Sequence, residues 1–397
     1  MTEAQNKIEG APKRIIGIDI LRGFAVFGVL IVNAPSMNSP VIKDGNAFAF
    51  LHGAANQIYA GFLSFVAVGY FYPIFASLFG VAAAMILLKN GKRFFLRRMA
   101  ILFLFGLCQG ILIWWGDVLA IYALLGVLLS AFYGRSNKII LKIFYAAIAL
   151  SLMISLASLV FIEGASLYPK IDVTALYQNG SFFMITQQRI MDYLWTYAPW
   201  LVASIDMAQF LHTMVFVVEL FLCFISGFYL YSSGLLKRVV SDKSFVLKAL
   251  LWAMLATFAI SLLKLLWPYN PDVLEIADSY ARAMTYACII LFACHYRNCL
   301  AILEPLSFVG KMSLSNYLFH NFVLSLTLYG YGLGLYGKIG PFDQVPVIAC
   351  LMVFSLGFSY VWLHYFQFGP LEWVWRSMTY GKILPNRKPK ASLIIES

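Results

Sequence analysis

The chain is 397 residues long, 61% apolar and 12% charged, about half the charged share of a soluble domain, with a mean hydropathy of +0.80. This excludes a soluble enzyme and predicts an all-α, polytopic membrane protein in contact with the lipid bilayer. A net charge of +11 invites nucleic acid as a partner, but the cations gather at one end of the predicted spans, which excludes that reading.

Ten runs are long enough to cross a bilayer, allowing for tilt and short spans: 15–33, 59–88, 99–115, 118–133, 139–161, 210–232, 246–266, 279–295, 312–332 and 345–365. The short run at 118–133 and the run at 279–295, which holds Arg282, are the weakest of these. The first run carries Asp19, Arg22 and Asn33. Charges inside a span usually pair and face the protein interior, and Asp19 and Arg22, three apart, share a helix face. Asn33 lies eleven residues beyond Arg22, almost three whole turns, so it continues the same stripe about 16 Å further along the axis. The run reads as a retained span rather than a cleaved signal, because two charges interrupt it and no small-x-small site follows. His52 falls in the first outer loop, where a solvated imidazole is expected.

The third and fourth runs meet at Trp114-Trp115-Gly116-Asp117, which puts a carboxylate at the outer membrane face. Two readings stand for Asp117: a cap for the fourth helix, or a binding or catalytic group. Gln109, two turns earlier, is an embedded amide that needs a partner in the bundle. The outer stretch 162–209 holds Pro169, Asp172, Asn179, Gly180, Asp192, Tyr193, Trp195, Tyr197 and Trp200, and its aromatics read as interfacial anchors. It divides the chain into an N-terminal five-span half (1–161), an outer connecting segment (162–209) and a C-terminal five-span half (210–382), followed by a flexible basic tail (383–397).

In the second half, Glu219 is a deep carboxylate and by default a functional-site candidate. Ser313, Asn316 and His320 share one face of the ninth run. They are candidates for acid/base work or for interhelical hydrogen bonds that hold the bundle. Twenty-two of the 29 Lys and Arg residues fall on one side of the predicted spans and six on the other. The positive-inside rule makes the first side cytoplasmic, with both termini there. None of the six cysteines falls in an outer loop, so no structural disulfide is implied. No Cys/His spacing suggests a metal, and no phosphate loop, dinucleotide fingerprint, HExxH or Gly-x-Ser-x-Gly is present.

Several stretches together resemble the YeiB-like family of bacterial multi-pass membrane proteins. They are Ile18-Asp19-Ile20-Leu21-Arg22-Gly23-Phe24-Ala25 with Val32-Asn33; Ile74-Phe75-Ala76-Ser77-Leu78-Phe79-Gly80; Arg97-Arg98; and Trp115-Gly116-Asp117-Val118-Leu119 with Tyr122-Ala123. Near the end come Met312-Ser313-Leu314-Ser315-Asn316-Tyr317-Leu318 and Phe368-Gly369-Pro370-Leu371-Glu372-Trp373-Val374-Trp375-Arg376 with Thr379-Tyr380. That family is distantly similar to transmembrane acyltransferases of the heparan-α-glucosaminide N-acetyltransferase type, the shared piece mapping onto Arg22, Gly23 and Asn33. Where many members carry a histidine before the Gly-Asp turn, this chain has Gln109, which moves no proton at neutral pH. If that position holds the family's base, this chain lacks it or uses His320 instead.

The resemblance implies a membrane-embedded protein of the bacterial cytoplasmic membrane that moves an acyl group from cytoplasmic acyl-CoA, a substrate rather than a resident cofactor, to a small-molecule or glycan acceptor outside. Arg22 and Asp19 are expected at the donor end and Asn33 and Asp117 at the acceptor end. His320 with Asn316 would act as acid/base or orienting groups, supported by Gln109 and Glu219. Asn33 and Asp117 are expected to line one cavity, with His320 on its wall. The competing readings are a small-molecule transporter or export factor with Glu219 coupling protons, and a non-catalytic membrane protein.

Overall fold

The computed structural model describes residues 15–38, 53–161, 173–197, 207–266 and 272–389; His52, Pro169, Asp172, Trp200 and the last eight residues of the tail lie outside them. Apart from one isolated bridge between Phe366 and Arg387, these residues form helices and turns. The first half contains α1 (Ile16–Met37), α2 (Ala54–Val66), α3 (Phe71–Asn90), α4 (Lys92–Leu112), α5 (Leu119–Leu129) and α6 (Asn137–Phe161). The connecting segment holds α7 (Thr174–Asn179) and α8 (Phe182–Tyr197). The second half contains α9 (Met207–Ser232), α10 (Leu235–Ser241), α11 (Lys243–Leu266), α12 (Asp272–Ala293), α13 (Arg297–Lys311), α14 (Ser313–Leu328), α15 (Val345–Tyr365) and α16 (Pro370–Tyr380).

Among the described residues, seven helical segments are long and apolar enough to cross a membrane, α2 and α3 counting together as one (Ala54–Asn90), or eight if the bent pair Leu274–Ala293 with Arg297–Lys311, at 118°, counts as one span. The sequence reading counts ten. The run at 118–133 yields only the 11 residues of α5 and a short 3-10 turn, and the run at 312–332 yields the 16-residue α14. Both fall short of the roughly 20 residues that span a hydrocarbon core unaided. The run at 59–88 is interrupted by a turn at residues 67–70 yet still counts as one candidate span, Ala54–Asn90. The sequence reading did not recognise α13, because Arg297, Glu304, Pro305 and Lys311 interrupt its apolar pattern.

Arg282 sits inside α12 because its charge is matched there. Its Nε donates to Asp278 at 2.7 Å, and Lys264 of α11 donates to the same carboxylate at 3.2 Å. The Arg282 guanidinium also donates to Ser261 and to the Phe65 carbonyl oxygen, which ties α11, α12 and the end of α2 together.

Two close helix crossings join the two halves of the chain. At the crossing of α1 and α13, a Cβ on Gly23 would overlap the Leu306 carbonyl oxygen, and one on Gly310 would overlap the Asp19 carbonyl oxygen. At the crossing of α3 and α9, Gly80 and Gly227 stand in the same relation to Phe224 and Ser77. Between apolar helices in lipid, such small residues permit the backbone-to-backbone approach on which association depends. Aromatic packing fills the space around them, with Phe79 stacked on Phe224 at 4.7 Å and edge-on to Tyr122 at 5.4 Å.

Candidate functional site

The site is built from the first turn of α1 outward. Arg22 donates from Nη1 to Asp19 Oδ1 at 2.9 Å; Asp19 is buried, while the Arg22 side chain keeps 22% of its surface exposed. That exposed part lines a cavity of about 290 Å³. Three further cations line it from distant segments: Arg98 of α4, Lys311 at the end of α13 and Arg376 of α16. Basic side chains therefore line part of the cavity, and the rest of its wall includes the apolar Phe75, Phe79, Met99 and Leu102.

Glu372 is the one carboxylate in the described lining, and its oxygens are committed. Oε1 accepts the backbone N–H groups of Leu314 at 2.8 Å and Ser315 at 3.1 Å, and Oε2 accepts the Ser315 hydroxyl at 2.5 Å. In return, Ser315 Oγ accepts the Leu371 N–H at 3.0 Å. A helix N-terminus leaves its first N–H groups unsatisfied; here α14 is capped by α16, and α16 by α14. Burial pushes the Glu372 carboxyl above its usual range, and the donors from Ser315 and Leu314 oppose that rise. Glu372→Ala removes the acceptor for three donors at once and should lower stability by about 2–4 kcal/mol. Glu372→Gln, which keeps one acceptor oxygen, should lose less. Melting of the purified variants in detergent checks this; an alanine variant as stable as wild type would refute the reciprocal cap.

Deeper in, the cavity closes on Tyr122 of α5 and Tyr317 of α14. Behind them lies a void of about 10 Å³, bounded also by Tyr72 and Val118, enough for about one water molecule. The Tyr317 hydroxyl donates to Asp117 Oδ1 at 3.0 Å, and the Leu119 N–H donates to Oδ2 at 2.9 Å. Asp117 thus caps α5 and also meets a phenol from another helix. It is fully buried, in the turn between α4 and α5. Burial pushes its carboxyl up to about 7, against the lowering effect of Tyr317 and of the backbone N–H groups. Tyr193 and Tyr197 of α8 feel its charge, as does Tyr72. The Tyr72 hydroxyl donates to Asn33 Oδ1. Asn33 and Asp117 are therefore neighbours through Tyr72, both buried, and neither lines the 290 Å³ cavity.

Asn316 and His320 share a face, and that face meets α15. Asn316 Nδ2 donates to Ser359 Oγ at 3.0 Å, and His320 Nε2 bonds Ser355 Oγ at 2.7 Å. Two polar pairs at matching four-residue spacing form a short zipper between α14 and α15, away from the described cavity lining. Gln109 is buried, and neither of its amide atoms finds a hydrogen-bond partner among the described residues. Glu219 lies on α9, outside the cavity lining, where its backbone oxygen accepts the Tyr280 hydroxyl at 2.7 Å.

The sequence reading did not single out Tyr72, Tyr122, Tyr317, Arg98, Arg376 or Glu372 as site residues. A signal for most of them was present: Tyr122, Tyr317, Arg98, Glu372 and Arg376 all sit in the stretches that carry the family resemblance. Tyr72 had no such marker.

Residues 230–382 match a family described as "Protein of unknown function (DUF418)". The chain is 29% identical over 391 residues to "Uncharacterized protein YxaH" of Bacillus subtilis (strain 168), covering 93% of this chain and 94% of that protein. It is 27% identical over 382 residues to "Uncharacterized 39.9 kDa protein in amylase 3'region" of Bacillus acidopullulyticus, covering 94% and 96%. To "Uncharacterized protein YeiB" of Escherichia coli (strain K12) it is 25% identical over 391 residues, covering 92% and 96%. With its helices of membrane length, the chain is a multi-pass protein of the cytoplasmic membrane, a distant homologue of YxaH and YeiB along nearly its whole length, with a DUF418 match in its C-terminal part.

Proposed function

We propose that this protein is a membrane-embedded acyltransferase-like enzyme that takes an acyl donor at its basic end and passes the acyl group to an acceptor held near Asp117. One observation carries the reading: a cavity lined by cations runs inward to Tyr317, and the hydroxyl of that same tyrosine bonds the buried Asp117. The positive-inside bias assigns the basic end to the cytoplasm, where acyl thioesters are available.

In this reading Asp117 is the general base. Its carboxylate takes the proton of the acceptor hydroxyl as the acceptor oxygen bonds to the acyl carbon. The carbon–sulfur bond of the thioester then breaks, and the leaving thiolate receives the proton. Tyr317 orients Asp117, the Asn33–Tyr72 pair holds the acceptor, and Arg22 with Asp19 steadies the donor. His320 and Asn316, engaged with α15, position α14 rather than move protons.

The test is release of free thiol from acyl-CoA by membranes carrying the protein. Asp117→Asn should lower turnover by about 100-fold or more. Because the base must be ionised, the wild-type rate should rise as pH passes through about 7. Full turnover in the asparagine variant, or no turnover above empty membranes with any acyl chain length tried, would end this reading.

A further inference from the structure

The four cations that line the cavity come from four segments far apart in the chain, residues 22, 98, 311 and 376. The positive-inside rule requires basic residues at this end of the molecule, but it does not require them to converge on one concave space. Arg98 and Arg376 lie within each other's field, and holding two like charges together costs energy. Each guanidinium is held by stacking: Arg98 lies 3.5 Å over the Trp375 ring, and Arg376 lies 4.3 Å over Phe368. The Trp375 indole N–H also donates to the Arg98 carbonyl oxygen at 3.0 Å. A guanidinium with its face on an aromatic ring presents its N–H donors in plane, the geometry that grips a planar or tetrahedral oxyanion.

Part of this charge is offset: Asp19 pairs with Arg22 at 2.9 Å, and Glu372, whose oxygens accept from the first turn of α14, still acts electrostatically on Arg98. Four cationic side chains on one concave space, two of them guanidiniums stacked on aromatic rings, present more N–H donors than one carboxylate ligand would use, and the arrangement matches a phosphate monoester or diphosphate. Beyond them the cavity is apolar as far as Tyr122 and Tyr317. We propose that the cavity is a binding site for a phosphate-bearing amphiphile, with its phosphate among Arg22, Arg98, Lys311 and Arg376 and its apolar arm along Phe75, Phe79, Met99 and Leu102. The inference deepens the acyl-transfer reading and rests on it for the donor's identity, but the binding is measured with no transfer taking place.

Two sources share this chemistry, a soluble phosphate-bearing thiol from the cytoplasm and a phospholipid from the adjoining leaflet. Purified full-length protein in zwitterionic-lipid nanodiscs is titrated with unacylated CoA, with inorganic diphosphate, and with phosphatidic acid incorporated into the discs. Binding is read by thermal shift and by native mass spectrometry. At least one of CoA and phosphatidic acid should bind and be displaced by diphosphate. Arg98→Gln and Arg376→Gln should each weaken that binding about tenfold or more.

Binding of CoA alone assigns the aqueous source, and binding of phosphatidic acid alone assigns the lipid; either supports the site. Should a glutamine variant fail to fold, displacement by diphosphate and loss of affinity with added salt, both measured on wild type, decide in its place. No binding of either amphiphile, or binding indifferent to diphosphate and salt, overturns the proposal. Binding without thiol release in the transfer assay keeps the site and sinks the acyl-transfer reading. Thiol release that persists unchanged in Arg98→Gln and Arg376→Gln keeps that reading and sinks the site.

Discussion

Replacing Gly23 by valine should leave little folded protein in the membrane. At that position the backbones of α1 and α13 meet with no room for a side chain, and a Cβ would overlap the Leu306 carbonyl oxygen. A carbonyl oxygen within a helix cannot turn aside as a flexible side chain can, so the whole crossing must open. Overpacking of this kind costs about 3 kcal/mol, a large share of the stability of a marginal fold. Opening it would also shift Asp19, whose carbonyl oxygen lies in the same crossing against Gly310, and with it the Arg22 side chain at the cavity. The control is Gly357→Ala on α15, where nothing lies within 4 Å of the added carbon; helix propensity alone makes it neutral or stabilising by up to about 1 kcal/mol. Accumulation and melting temperature in detergent compare the two. Wild-type melting of Gly23→Val would mean that α1 and α13 do not cross as described.

The second large effect is expected at Arg22→Ala. Asp19 stays buried but loses the guanidinium 2.9 Å away, and breaking a buried ion pair from one side costs about 3–5 kcal/mol. The Arg22 side chain is 22% exposed, so solvent screens part of the pair and the lower end applies. Asp19→Asn combined with Arg22→Gln removes both charges and should restore accumulation. Its affinity for the phosphate-bearing probes should stay reduced, because one of the four cations is gone. Equal melting temperatures for wild type and Arg22→Ala would refute the claim that the pair is buried.

The features legible in the sequence are those set by spacing along one helix. The Asp19–Arg22 pair follows from a separation of three, and the shared face of Asn316 and His320 from a separation of four. What each face meets was not legible, because it depends on another helix. Asn33 meets Tyr72, a residue with no mark beyond being aromatic in an apolar run. His320 and Asn316 meet Ser355 and Ser359, whose matching spacing is visible only once α14 and α15 are known to touch. Arg98, Lys311 and Arg376 read singly as ordinary basic residues near span ends, and only folding brings them to one cavity. The ten-span count went astray where apolar character and length part company. Residues 118–133 and 312–332 are apolar, but the helices they form, α5 and α14, are too short to span a membrane unaided.

The reciprocal capping of α14 and α16 has a mechanical consequence. A strut fixed at one end can swing; a strut whose end group also closes the neighbouring strut cannot move alone. If α16 tilts outward to widen the cavity entrance, Glu372 leaves two backbone N–H groups and a hydroxyl behind at the start of α14, and Leu371 loses its acceptor in the same motion. The low-cost displacement is therefore one in which both helices travel together. Tyr317 lies on α14 within a turn of those capped groups and carries the bond to Asp117. A ligand that pushes the entrance apart thus pulls on the bond at the far end of the cavity, so that arrival of a guest at one side of the membrane is felt as tension on a phenol deep inside it.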